Sequence, residues 1–349
     1  MFNLKQIISS IADAGQKLFS IKNIKKNDLE SIISLCDDLI SHKGAAFGIT
    51  VARDITELYQ SLSPENKLLF FKQINEKYKP SFKKVNEAIE NYTKSQNERT
   101  LSDLFKVSEG NRRELFRRMN MAPNGTAIIV ALREDLLKIL KSNKELSELD
   151  NDLRHLFRAW FNPGFLKLTK ITWDTKAAVL EKIIKYERVH QIKDMNELKI
   201  RLGEDRRFFS YFHPALEDEP IIFVQVALTN GLGRSIQEIM KQSSGDEKKY
   251  DTATFYSISN CQEGLSRVTL GNFLIKRVVH EIQEELPHIK NFGTLSPIPG
   301  FAEWFAYLEE SKIKNILGNV KDQDVMFLKS NDLKIGDKRI IDNKEAIIK

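Results

Sequence analysis

The sequence predicts an α+β multidomain chain in two parts, an all-helical bundle over residues 1–161 and a mixed α/β region over residues 162–349. Two observations carry that expectation. From Met1 to about Trp160 the apolar residues recur at the spacing of amphipathic helices, and glycine and proline are sparse. After "FNPGFLKL" (161–168) the texture changes to short β-rich runs with helical stretches between and after them. At 349 residues, 41% hydrophobic and 29% charged, the chain is long enough to bury a sizeable core in about two domains.

Each element has its own signal. "MFNLKQIISSIADAGQKLF" reads as an amphipathic helix; it lacks the apolar core and small-residue cleavage site of a secretory signal, and Asp13 with few arginines argues against an organellar presequence. "DLESIISLCDDLIS", "ELYQSLSPENKLLFFKQI" and "DNDLRHLFRAWF" repeat the helical period. "MAPNGTAI" (121–128) reads as a turn before the helix "AIIVALREDLLKIL", and "NRRELFRRMN" (111–120) as a basic run on a helix with a solvated face. In the second half "LKLTKITW", "RRFFSYFHP", "PIIFVQVALT" and "ATFYSIS" read as strands. "PIIFVQVAL" is apolar almost throughout, as a strand covered on both faces would be, whereas "TATFYSIS" alternates more. "KQSSGDEKKYD" (241–251) reads as a polar surface loop.

A net charge of +6 over 54 basic and 48 acidic residues favours anionic ligands only weakly. Cys36 and Cys261 stand far apart without a CxxC or Cys/His spacing, which supports neither a disulfide framework nor a metal site and points to a reducing, cytoplasmic compartment. No run approaches the roughly 18 apolar residues of a membrane span. The basic run at 111–120 has no aromatic platform beside it, so nucleic acid is not an expected partner.

"FYSISNCQEGLSRVTLGNFLIKRVVHEIQEEL" gives a strand, a glycine-containing loop and an amphipathic helix starting near Asn272. A pyrophosphate suits such a joint: N–H groups at a helix start have no partners inside the helix, and the helix dipole is positive there. Gly264 and Gly271 would let the backbone approach a ligand closely; the competing reading is that they merely turn the chain. "NFGTLSPIPGF" (291–301) holds Ser296 before Pro297 and Pro299, which restrict the neighbouring backbone and hold the hydroxyl on a stiff support. From composition alone a proline-stiffened surface turn with an incidental serine is the favoured reading.

The blocks "HPALEDEPIIFVQVALT", "FYSISNCQEGLSRVTLGNFLIKRVV" and "FGTLSPIPGFAEWF" resemble, in that order, the malonyl-CoA decarboxylase family, with weaker similarity through "MAPNGTAIIVALREDLL" and "RHLFRAWFNPGFLKLTKITW". The resemblance implies a helical domain followed by a GNAT-like, acetyltransferase-type α/β domain whose central strand and following loop hold coenzyme A. It carries the coenzyme A loop onto Ser266, Arg267, Val268, Thr269, Leu270, Gly271 and Asn272, and the catalytic serine onto Ser296. Arg267 stands where the family usually has glycine, and Thr269 where it can carry glutamate. The family's catalytic histidine lies in a block like "HLxNGA…NWxAD" that is not found here; His42, His155, His190, His213, His280 and His288 all precede Ser296. Truncation at the C-terminus relative to the family is therefore the expectation.

The implied reaction converts malonyl-CoA to acetyl-CoA and CO₂, with coenzyme A as part of the substrate and no separate cofactor. Losing CO₂ leaves an enolate on the thioester, which needs hydrogen-bond donors for the oxyanion and a proton at carbon. The resemblance also implies homo-oligomers built on the helical part. The alternative is a non-catalytic acyl-CoA-binding or interaction remnant. His213 reads as a strand-end histidine bonded to backbone, and His280 and His288 as exposed on the helix after the loop.

Overall fold

The computed structural model describes residues 28–41, 44–233, 235–241, 249–268 and 270–296, together with residues 10, 300, 304 and 307–309. Within these the chain divides into two compact units, Met1–Leu295 and Ser296–Lys349. The expected helix at residues 1–19 and most of the loop at 241–251 lie outside the described residues.

The first unit opens with helices α1 (Leu29–Ser41), α2 (Ala45–Ser61), α3 (Pro64–Lys77), α4 (Phe82–Lys94), α5 (Glu98–Glu109), α6 (Arg112–Met119), α7 (Gly125–Leu140) and α8 (Ser147–Trp160). Local chemistry sets the ends. Ser63 caps α3, accepting from the Asn66 N–H, with Pro64 in the first turn where its missing N–H is no loss. Asn97 and Thr100 form a reciprocal capping box on α5. The sheet region follows as β1 (Lys167–Lys170), α9 (Ala177–Tyr186), α10 (Met195–Arg201), β2 (Arg206–His213), β3 (Leu216–Thr229), α11 (Ile236–Met240), β4 (Thr252–Asn260), α12 (Gly271–Glu285) and β5 (Asn291–Thr294).

The five strands form one sheet in sequence order, antiparallel except where β5 runs parallel to β4. A parallel neighbour needs a crossover, and α12 supplies it. One face of the sheet shares a core with the helices: Phe70, Phe116, Leu132 and Phe157 belong to the same buried cluster as Val224, Phe255 and Leu274. On the other face Phe208 and Phe223 pack with Val179, Leu180 and Ile183 of α9. Covered on both sides, Pro220–Leu228 is buried at every position, as its apolar run predicts.

β4 is also buried nearly throughout, so its alternation separates two covered faces. The register explains how. Gln225 pairs with Ser257 and Val226 with Phe255, which leaves Tyr256 as an extra residue in a bulge. Ala253 and Phe255 face the main core, whereas Ser257 and Ser259 donate to the buried Glu187 carboxylate at 2.8 and 3.1 Å. β5 pairs with Thr252–Phe255 and stops where the bulge begins.

Two expectations are corrected. The basic run at 111–120 is not a solvated face: Arg112 is buried, and Arg112 and Arg113 each place Nε 2.7 Å from the Asp152 carboxylate on α8. Its acidic partner is about forty positions away, beyond the reach of helical periodicity. His288 lies past the end of α12, although it is exposed as expected, and His280 stands on the helix with Glu284 3.3 Å away.

Candidate functional site

The strand–loop–helix joint forms where the sequence places it. β4 ends at Asn260, a short 3₁₀ turn spans Glu263–Leu265, and α12 starts at Gly271. The loop is tied to the body by the backbone bond from Cys261 N–H to Ile221 O at 3.0 Å and by the buried side chains of Leu265, Val268 and Leu270, and it is closed on itself by Val268 N–H to Leu265 O at 3.0 Å. Phe273 stacks on Tyr211 of β2 at 6.0 Å between ring centroids, which fixes the first turn of α12. The N–H groups of that turn have no intrahelical acceptor, and the turn carries no acidic side chain to compete for them.

Ser266 and Arg267 are exposed on this loop, and Arg267 adopts a left-handed backbone with φ of 63°. That conformation favours glycine, so Arg267 is an unusual residue for this backbone. Thr269 and the Asn272 side chain lie outside the described residues.

The two glycines divide. A Cβ at Gly264 would sit 2.0 Å from Val130 O of α7, so this glycine lets the loop lie against a helix rather than against a ligand. A Cβ at Gly271 would meet only Ile222 Cδ1, at 4.0 Å, and Gly271 leaves the helix start open.

Sequence reasoning missed what holds the loop from behind. Arg133 of α7, fully buried, donates through Nη1 to Gly264 O at 2.5 Å and Ser266 O at 3.0 Å, and through Nε to Asp150 of α8 at 2.7 Å. Burial lowers its pKa and the Asp150 carboxylate opposes that shift. The sequence offers little signal for it, because Arg133 stands beside Glu134 and Asp135 in the helix "AIIVALREDLLKIL".

A second buried network lies under the bulge. Glu187, at the end of α9, accepts from the N–H groups of Val189 and His190 at 2.8 and 3.0 Å and from Gln225, Ser257 and Ser259. Tyr256 OH donates to Gln225 at 2.9 Å, and His190 Nε2 lies 3.1 Å from Tyr256 O. These bonds keep the polar half of β4 in one geometry.

Ser296 is exposed and begins the second compact unit. Leu295 before it still follows the strand, donating to Phe255 O at 2.8 Å. Residues 297–299 lie outside the described residues. His213 is a packed strand-end histidine, as expected: Nε2 is 3.1 Å from Trp160 O, Nδ1 accepts from the Ala215 N–H at 3.1 Å, and burial lowers its pKa. A cavity of about 940 Å³, lined in part by Thr126, Phe165, Lys167, Phe212 and His213, opens between α7, β1 and the β2–β3 turn, and no described residue of the 266–272 loop lines it. Among the described residues no His, Cys, Asp and Glu cluster could hold a metal.

Residues 164–348 match the family model for the malonyl-CoA decarboxylase C-terminal domain and residues 78–161 that for the N-terminal domain. The chain belongs to the malonyl-CoA decarboxylase family. It is 41% identical over 212 residues to the mitochondrial malonyl-CoA decarboxylase of the goose Anser anser anser, covering 58% of this chain and 42% of that protein. The rat enzyme of the same name is 40% identical over 200 residues, covering 55% and 41%. The match thus spans less than half the length of these curated relatives. Crystal structures of malonyl-CoA decarboxylase from Rhodopseudomonas palustris and Agrobacterium vitis superpose with TM-scores of 0.79 and 0.80 at 38% identity, covering 92% and 90% of this chain and 79% and 77% of theirs. Among the described residues no helix is long and apolar enough to cross a membrane.

Proposed function

We propose that this protein decarboxylates malonyl-CoA to acetyl-CoA, with Ser266, Arg267, Val268, Thr269, Leu270, Gly271 and Asn272 holding coenzyme A and Ser296 acting on the acyl end. The observation that supports it best is the β4–loop–α12 joint, whose open helix start carries no acidic side chain in its first turn, in a member of this family. Backbone donors and the positive end of α12 suit a pyrophosphate.

In the reaction, the bond between the carboxylate carbon and the methylene carbon breaks and CO₂ leaves. The electron pair passes into the thioester as an enolate, which takes a proton at carbon to give the acetyl thioester. The thioester is the electron sink, so coenzyme A serves as part of the substrate and no separate cofactor is invoked. The Ser296 hydroxyl donates to the carboxylate or the developing oxyanion, a contribution of about 3–4 kcal/mol in comparable sites.

The finer reading of the fold is a helical domain over residues 1–161 and a GNAT-like domain over residues 162–349. A β4 that bulges where β5 leaves it supports this. Self-association through the helical part is favoured by α4 and α5. Phe82 and Phe105 are 72% and 67% exposed on these two amphipathic helices, α5 buries no residue and α4 only Ala88. Cys36 and Cys261 are free and buried, in keeping with a cytoplasmic site of action.

The test is acetyl-CoA formation from malonyl-CoA by the purified protein beside Ser296→Ala. Turnover that falls about 10²–10³-fold in Ser296→Ala supports the reading. Failure of a folded sample to bind coenzyme A saturably by calorimetry overturns it.

A further inference from the structure

The Arg133–Asp150 pair is a costly thing to keep in a core. The guanidinium is fully buried, lies 5.9 Å from the Phe157 ring centroid and pairs through Nε with Asp150 at 2.7 Å, yet its Nη2 has no hydrogen-bond partner among the described residues. Replacing such a pair by apolar residues of similar volume is often neutral or stabilising, so stability alone does not explain it. What an apolar side chain could not do is donate to the loop. Through Nη1, Arg133 holds Gly264 O at 2.5 Å and Ser266 O at 3.0 Å.

The bond to Ser266 decides which way a donor faces. The peptide joining Ser266 to Arg267 is planar and trans, so its C=O and N–H point in opposite directions. With the carbonyl turned inward onto Arg133, the Arg267 N–H is turned outward, on a loop where Ser266 and Arg267 are exposed. The neighbouring N–H groups are already used: Leu265 donates to Gln262 O at 2.9 Å, Ser266 to Glu263 O at 2.9 Å and Val268 to Leu265 O at 3.0 Å. That of Arg267 makes no hydrogen bond among the described residues. A φ of 63° at a residue other than glycine persists only where the surroundings hold it, and the Arg133 bond to the preceding carbonyl is such a restraint.

We infer that Arg133, held by Asp150, is a positioning residue for coenzyme A, fixing the Ser266–Arg267 peptide so that the Arg267 N–H is presented to a phosphate oxygen. The inference rests on the proposed function and adds to it: a side chain buried in the helical part sets a donor of the 266–272 loop before the ligand arrives. A donor already oriented needs no reordering on binding, and its hydrogen bond to a charged oxygen is of the stronger kind.

Calorimetric titration with coenzyme A, beside urea unfolding, of the wild type, Arg133→Lys and the double variant Arg133→Met with Asp150→Leu tests the inference. The double variant leaves neither member of the pair buried and unpaired, so its urea midpoint is expected close to that of wild type. Coenzyme A is nevertheless expected to bind it about tenfold or more weakly, the order of one hydrogen bond to a charged group. A merely structural pair would recover stability and affinity together. Arg133→Lys keeps a charge for Asp150 but lacks the fork that spans both carbonyls, and is expected to bind with intermediate affinity. Wild-type affinity in a stable double variant overturns the inference and leaves the proposed function standing. Should the double variant not fold, Arg133→Lys decides alone: affinity equal to wild type overturns the inference, and weaker affinity supports it. Absence of saturable binding by the folded wild type overturns the proposed function and the inference together.

Discussion

Gly264→Ala tests whether the loop owes its place to contact with α7. The added Cβ would lie 2.0 Å from Val130 O and 2.8 Å from both Val130 C and Cγ1, and real Cβ contacts essentially never fall under 3.0 Å. The atoms met include helix backbone, so no rotamer change relieves the clash; the loop or α7 must move by at least the difference between 2.0 and 3.0 Å. Overpacking of this kind costs about 1–3 kcal/mol. The movement also pulls Gly264 O and Ser266 O off the Arg133 guanidinium, which sits 2.5 and 3.0 Å from them. A shift near 1 Å in a group that positions substrate costs on the order of 10²-fold in rate. Urea unfolding of wild type and Gly264→Ala, beside calorimetric titration with coenzyme A and a turnover assay, measures both effects. Wild-type stability together with wild-type affinity would refute the packing argument, because it would mean that the loop tolerates a displacement the structure does not allow.

Two further outcomes follow from buried ionisable groups. Arg133→Met leaves Asp150 buried and unpaired and should destabilise the fold by about 3–5 kcal/mol, while Arg133→Met combined with Asp150→Leu should recover much of that loss; urea midpoints decide it. His213 has its pKa lowered by burial from the ordinary 6.5. The folded state therefore prefers the neutral ring. Above about pH 6.5 neither state is protonated and His213 costs nothing, whereas below it the unfolded chain takes up the proton first and stability falls until the folded pKa is reached. The drop in unfolding free energy between about pH 8 and about pH 5 should shrink in His213→Gln.

How much of this was legible depends on the distance in sequence over which each fact is written. The helices from Leu29 onward, the buried run of β3 and the β4–loop–α12 joint are local patterns, readable from apolar period and glycine placement, and the structure has them. The role of Gly264 was not readable, because the atom that requires a glycine there belongs to Val130, far back in the sequence. The same holds for Arg112 and Arg113, whose basic run looks solvated until Asp152 is brought against it. Ser257 and Ser259 look like an outward-facing polar stripe, and only the extra residue Tyr256 and the buried Glu187 turn them inward. In each case the side chain, or its absence, is reserved for a partner supplied by the fold. Arg133 follows the same rule, with Glu134 and Asp135 beside it in sequence and its true partner elsewhere. Once Arg133 is known to be fully buried, its charge is too costly to leave unpaired, so a carboxylate and a reason for keeping both must be supplied by the fold. Here the carboxylate is Asp150, and the reason is the loop whose carbonyls the same guanidinium holds.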